Sequence, residues 1–111
     1  MPISAANGAH ALVILVAEDD ALLRCDVAEC LRDAGHAVVE VASGEAAIAI
    51  CKSGMAIDAV FTDIDLSGPM SGWDVAEHFR MDRPNAPVFY ASGKSFDDNR
   101  CVPGSVFFAK V

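Results

Sequence analysis

Asp63 ends an apolar run, Ala59-Val60-Phe61-Thr62, and Glu18-Asp19-Asp20 ends another that spans Leu12 to Ala17. Two strands that each stop in carboxylates bring those carboxylates together at one edge of a parallel sheet. There they repel: two unit charges about 4 Å apart cost roughly 4 kcal/mol at an effective dielectric of about 20. A cluster of this kind persists by holding a proton or a cation, so it reads as a site.

A hard cation such as Mg²⁺ takes oxygen ligands, commonly one or two carboxylates completed by water and phosphate oxygens. Asp19 and Asp63 suit direct contacts, Glu18 suits one through water, and the backbone carbonyl of Asp65 is a further oxygen donor. A carboxylate beside Mg²⁺ is also a nucleophile toward a phosphoryl group, giving an aspartyl phosphate. Such a transfer runs on positioning and charge neutralisation, so it needs a lysine and a hydroxyl as well as a cation. Lys110 and Ser92 supply them.

The elements that must position these residues follow from hydrophobic period. Ala11–Ala17 reads as a strand buried on both faces, and Asp20 caps the helix that follows. Leu23, Val27, Cys30, Leu31 and Ala34 recur at helical spacing and Gly35 closes that helix. His36–Val41 is a second strand. Ser43 caps a second helix with Ala47, Ile48 and Cys51 on its inner stripe, up to Gly54. Ile57–Thr62 is a third strand, and Val75, Ala76 and Phe79 mark a third helix that stops before Arg83-Pro84. Ala86–Ala91 and Ser105–Ala109 are two more strands. Trp73 reads as packing at the start of the third helix. Alternating strands and helices specify a parallel sheet covered on both faces, with ligands beyond the carboxyl ends of the strands. Glu18, Asp19, Asp63, Ser92 and Lys110 all fall there.

Composition narrows the function. With 111 residues, 53% apolar and 22% charged, the chain suits one compact domain preceded by a loose arm at residues 1–10. Its net charge of −8 and lack of a Lys/Arg run argue against direct nucleic-acid or membrane-surface contact. No apolar run approaches the roughly 18 residues of a membrane span. No Lys or Arg precedes Arg24, so a signal-peptide pattern is missing and a cytoplasmic location is expected. Cys25, Cys30, Cys51 and Cys101 lack metal-ligand spacing and read as reduced core residues. His10, His36 and His78 read as isolated and solvated.

Four stretches in order carry a family resemblance. They are Val16-Ala17-Glu18-Asp19-Asp20; Asp63-Ile64-Asp65-Leu66 followed by Gly72-Trp73; Pro87 to Gly93; and Phe107-Phe108-Ala109-Lys110. Together they resemble the receiver domain of bacterial two-component response regulators, and the Ser92-Gly93 stretch is similar to that family's FATGUY single-domain subgroup. The resemblance implies a flavodoxin-like, doubly wound, five-stranded parallel sheet in the order 2-1-3-4-5 over residues 11–111. It implies that Asp63 accepts phosphate from the phosphohistidine of a sensor histidine kinase or histidine phosphotransfer protein. Glu18 and Asp19 would hold Mg²⁺, Lys110 would contact phosphate, and Ser92 and Phe107 would be the switch pair. The domain would then catalyse only its own phosphoryl transfer and dephosphorylation.

Departures from the pattern set further expectations. The loop at Ser67-Gly68-Pro69-Met70-Ser71 looks one residue longer than the common form. Ser95–Gly104 is polar and contains Pro103, so a loop or a single turn is expected where the family has its fourth helix, and it is the segment expected to order on phosphorylation. The chain stops where a fifth helix would begin. It is either truncated or a short form whose uncovered sheet face, marked by Val106, Phe107 and Phe108, pairs with a second copy. Asp65 and Lys94 would flank the phosphoryl group and lengthen its lifetime. Two competing functions remain at this level: a phosphate-independent interaction module, and a haloacid-dehalogenase-like phosphatase built on Asp63-Ile64-Asp65.

Overall fold

A computed structural model of the chain describes residues 11–93 and 100–110. In chain order the elements are β1 (Val13–Ala17), α1 (Ala21–Asp33), β2 (Ala37–Val41), α2 (Gly44–Lys52), β3 (Ala59–Asp63), α3 (Gly72–Asp82), β4 (Val88–Ser92) and β5 (Val106–Ala109). The strands form one parallel sheet in the order β2-β1-β3-β4-β5. This is the expected flavodoxin-like order, with three helices among the described residues.

The local signals that start and stop the helices are physical. The Asp20 carboxylate accepts from the Leu22 and Leu23 amides at the head of α1, and Ser43 accepts from Ala46 at the head of α2. Ser71 and Asp74 form a reciprocal capping box at the head of α3. That helix ends at Asp82 because the residue before Pro84 avoids helical angles.

The two faces of the sheet are covered unequally. On one face Leu15, Ala17, Val60, Val88 and Tyr90 pack against Ala47, Ile48 and Cys51 of α2 and Val75, Ala76 and Phe79 of α3. Trp73 is buried in this core with its ring 4.9 Å from that of Tyr90, which confirms its packing role. On the other face Ile14, Val16 and Ala59 are covered by α1 through Val27 and Leu31. The Tyr90 hydroxyl accepts from the Val102 amide (3.1 Å), anchoring the chain that enters β5.

Several expectations are corrected. Cys25 and Cys30 are exposed and Cys101 is half-buried, so among the four free cysteines Cys51 alone is core. Ala28 is the buried residue of α1, while Cys30 and Ala34 face outward. His36 is not solvated: its Nδ1 accepts from the Leu12 amide (3.0 Å) beside the start of β1. His78 is half-buried, with Nδ1 2.9 Å from the Asp74 carbonyl oxygen; His10 lies outside the described residues. The strand ends differ by one or two residues, because pairing with neighbours sets them, and Asp63 and Ser92 are the last strand residues of β3 and β4. Phe107 packs against the main core, whereas Val106 and Phe108 are 44% and 49% exposed, so the expected apolar patch is carried by alternate residues. Of Ser95–Gly104, where a loop or a single turn is expected, residues 95–99 lie outside the described residues. Residues 100–104 are irregular with turns at residues 100 and 103–104.

Candidate functional site

Strand register alone gathers the site. Ala17 pairs with Thr62, Asp63 with Ala91, and Ser92 with Ala109, so β1, β3, β4 and β5 reach one edge together. The next residues are pinned by the backbone: Glu18 N–H donates to Val41 O (3.1 Å) and Lys110 N–H donates to Ser92 O (2.9 Å). Behind Asp63 the chain returns so closely that a Cβ on Gly72 would lie 2.1 Å from the Asp63 carbonyl oxygen. Glycine is therefore required there. The Gly72 amide donates to Ile64 O (2.9 Å) and the Thr62 hydroxyl donates to the Asp63 carbonyl (2.9 Å), fixing the acidic residue from both sides.

At that edge Glu18 and Asp63 are 2% and 4% exposed. Every oxygen of the two carboxylates meets a donor. Lys110 Nζ reaches Glu18 Oε1 (2.8 Å) and Asp63 Oδ2 (3.1 Å). The Asp20 amide donates to Glu18 Oε2 (3.1 Å), and the Asp65 amide donates to Asp63 Oδ1 (3.2 Å). One oxygen from each of Glu18, Asp19 and Asp63 lies within 4.8 Å of the others. Three hard, negatively charged donors so spaced fit a small oxygen-seeking cation such as Mg²⁺.

The electrostatics agree with that fit. Burial pushes the Glu18 carboxyl above its usual range; the hydrogen bonds from Lys110 and the Asp20 amide only partly offset this, and the Asp63 charge adds to it. Burial pulls the Lys110 ammonium down, but its bonds to Glu18 and Asp63 outweigh that and hold it above its usual value. The Lys110 shift reflects the two acids it serves, and the Glu18 shift chiefly reflects burial. Asp19 is instead held below the usual carboxylate range, first by the Ser67 hydroxyl.

The other expected residues fall as follows. Ser92 is 1% exposed and its hydroxyl donates to Asp65 Oδ2 (3.0 Å). Asp65 is thus tied to the expected switch hydroxyl, while Lys94 lies outside the described residues. Phe107 is half-buried in β5, in register with Tyr90. Two residues to which the sequence reading gave no role shape the rim. Gly72 admits the close return of the chain. Ser67 donates through both its hydroxyl and its amide to Asp19 Oδ2. The loop length flagged that segment, but a contact spanning 48 residues has no local signature.

A 2-1-3-4-5 parallel sheet with a buried acidic rim defines a flavodoxin-like receiver module. The pattern of the response regulator receiver domain matches residues 14–102, and the chain belongs to that family. Among solved structures, a response regulator receiver protein from Sinorhizobium medicae WSM419 is 43% identical with a TM-score of 0.87, covering 91% of this chain and 83% of that one. The receiver domain of the hybrid histidine kinase CckA is 30% identical, with a TM-score of 0.74 over 88% of this chain and 84% of that one. The response regulator TrrA from Thermotoga maritima, in complex with Mg²⁺-BeF, is 26% identical with a TM-score of 0.79, covering 90% and 87%. A cyclic di-GMP phosphodiesterase from Thermotoga maritima is 29% identical over 91 residues, which are 82% of this chain and 23% of that protein. The chain therefore spans under a quarter of that relative's length. No helix among the described residues is long and apolar enough to cross a membrane.

Proposed function

We propose that Asp63 is the phosphoacceptor of this receiver domain, taking the phosphoryl group of a phosphohistidine on a sensor histidine kinase or histidine phosphotransfer protein in the cytoplasm. The observation that carries the reading is the buried pair of Glu18 and Asp63 sharing one lysine within 4.8 Å of Asp19. An Asp63 carboxylate oxygen attacks phosphorus, the P–N bond breaks, and the imidazole leaves with a proton. Glu18, Asp19 and Asp63, with the Asp65 carbonyl as a further donor, would hold Mg²⁺, which would neutralise charge on the incoming phosphoryl oxygens. The Mg²⁺-BeF bound by TrrA supports this choice of cation.

Lys110, already bonded to Asp63, turns onto a phosphoryl oxygen and so follows the new charge. The Ser92 hydroxyl leaves Asp65 Oδ2 for a second phosphoryl oxygen. That movement frees space for Phe107, whose position between the core and the surface of β5 makes it the reporter of the change. Asp65, released from Ser92, is then available to pair with Lys94 over the phosphoryl group and slow its hydrolysis. The chain acts as a signalling domain, with catalysis confined to its own phosphorylation and dephosphorylation, and its −8 charge suits a protein partner better than nucleic acid. Mg²⁺-dependent labelling by acetyl phosphate tests the reading: wild type labels and Asp63→Asn does not. Labelling retained in Asp63→Asn overturns it.

A further inference from the structure

The loop between β3 and α3 contributes to the rim. Ser67 presents two donors to one oxygen: its amide reaches Asp19 Oδ2 at 3.0 Å and its hydroxyl donates to the same atom. The loop that carries it is braced on both sides. Leu66 is buried, and a Cβ on Gly44, the first residue of α2, would lie 2.4 Å from the Met70 carbonyl oxygen. Gly68 has φ +94° and lies against the Glu45 carboxylate, 3.3 Å from where a Cβ would stand. Ser71 then caps α3. Packing at Leu66 and Met70 on either side restrains Ser67, and through it the carboxylate it holds.

Asp19 needs such a restraint. Its carboxylate faces two buried acids, Glu18 and Asp63, and Lys110 is engaged by both of them. Without a second anchor, repulsion swings the Asp19 side chain outward into water, and a cation must pull it back on binding. Two donors on Oδ2 hold the group at the rim and leave the remaining oxygen unencumbered by Ser67. Carboxylates that ligate metals are commonly oriented by such hydrogen bonds. Mg²⁺ demands near-ideal octahedral geometry, whereas Ca²⁺ accepts irregular ligand sets, so a fixed carboxylate favours the smaller ion.

We propose that Ser67 is a positioning residue that presets Asp19 for Mg²⁺ and sets the preference of this rim for Mg²⁺ over Ca²⁺. The inference rests on the cation-site reading given above. Calorimetric titration of wild type, Ser67→Ala, Ser67→Thr and Asp19→Asn with Mg²⁺ and with Ca²⁺ tests it. Ser67→Ala is expected to bind Mg²⁺ about tenfold more weakly, with a smaller loss for Ca²⁺. Ser67→Thr, which keeps the hydroxyl, is expected to restore both affinity and preference. Melting in EDTA should be unchanged in Ser67→Ala, since the side chain is exposed. Wild-type Mg²⁺ affinity in Ser67→Ala, equal losses for the two ions, or a threonine that behaves as alanine each overturns the proposal. A loss in Asp19→Asn with none in Ser67→Ala overturns the role of Ser67 alone. Unchanged binding in Asp19→Asn overturns the cation site with it.

Discussion

Charged residues meet in two very different settings on this molecule. At the rim, Glu18 and Asp63 are nearly inaccessible and share Lys110. On the flank, Arg100 spans Asp74 and Glu77 of α3, and all three side chains are open to water, Asp74 least. Both settings pair one cation with two acids, but water reaches and screens the flank, so it costs and contributes little. The rim adds Asp19 to that ratio and buries two of its acids, so its charge is far less screened and suits an incoming cation. The number of ion pairs is similar in the two places. Burial separates the candidate site from a solvated surface cluster.

The sharpest way to break this contrast is to remove the lysine. Lys110→Met leaves two buried carboxylates without their shared cation, and the expected loss in EDTA is about 3 kcal/mol, the low end for breaking a buried pair because Lys110 is partly exposed. Mg²⁺ should then stabilise the variant more than it stabilises wild type; denaturant unfolding with and without Mg²⁺ measures both. Equal Mg²⁺ stabilisation in the two proteins would remove the argument that the rim lacks positive charge.

Gly72→Ala perturbs the rim from behind without altering a charge. Its Cβ would meet the Asp63 carbonyl, so a backbone shift costing about 1–3 kcal/mol is expected, together with weaker Mg²⁺ binding. Unfolding midpoints and a Mg²⁺ titration read the two effects separately.

Smaller effects belong to the flank. The Ser71 amide holds the Asp74 carboxyl below its usual range, and the Ser71 hydroxyl and Arg100 add to this. A lowered carboxyl stabilises the fold above the ordinary carboxylate range, and that stability is lost as pH falls through the lowered value. Asp74→Asn should therefore be less stable than wild type by about 1 kcal/mol near neutrality, with the gap closing in acid. Urea unfolding at two pH values checks this. Arg100→Ala, which removes an exposed partner, should cost less than about 1 kcal/mol and leave Mg²⁺ affinity untouched. A larger change in either quantity would show that flank and rim are coupled.

What could be read from residues alone divides along the same physical line. Asp20 and Ser43 announce helix starts because capping is local, and Arg83-Pro84 announces a stop for the same reason. The convergence of Glu18, Asp63, Ser92 and Lys110 was legible because parallel strands end together. Depth of burial was less legible. Cys25 and Cys30 lie on a helix with apolar periodicity, yet that periodicity does not tell which arc faces the sheet, and Ala28 takes the buried place. The partner of His36 comes from the start of β1, and that of Asp19 from a loop beyond β3. Contacts set by tertiary closure leave no mark at either residue.

The central claim is that a phosphoryl group lands on Asp63 and nowhere else on the crowded rim. Borohydride reduces an acyl phosphate to an alcohol, so treating acetyl-phosphate-labelled protein and mapping its peptides by mass reports the modified carboxylate directly. The account predicts reduction to homoserine at position 63, dependent on Mg²⁺. Reduction at Asp19 or Asp65, phosphate retained on Ser92, or a label that ignores Mg²⁺ would contradict it.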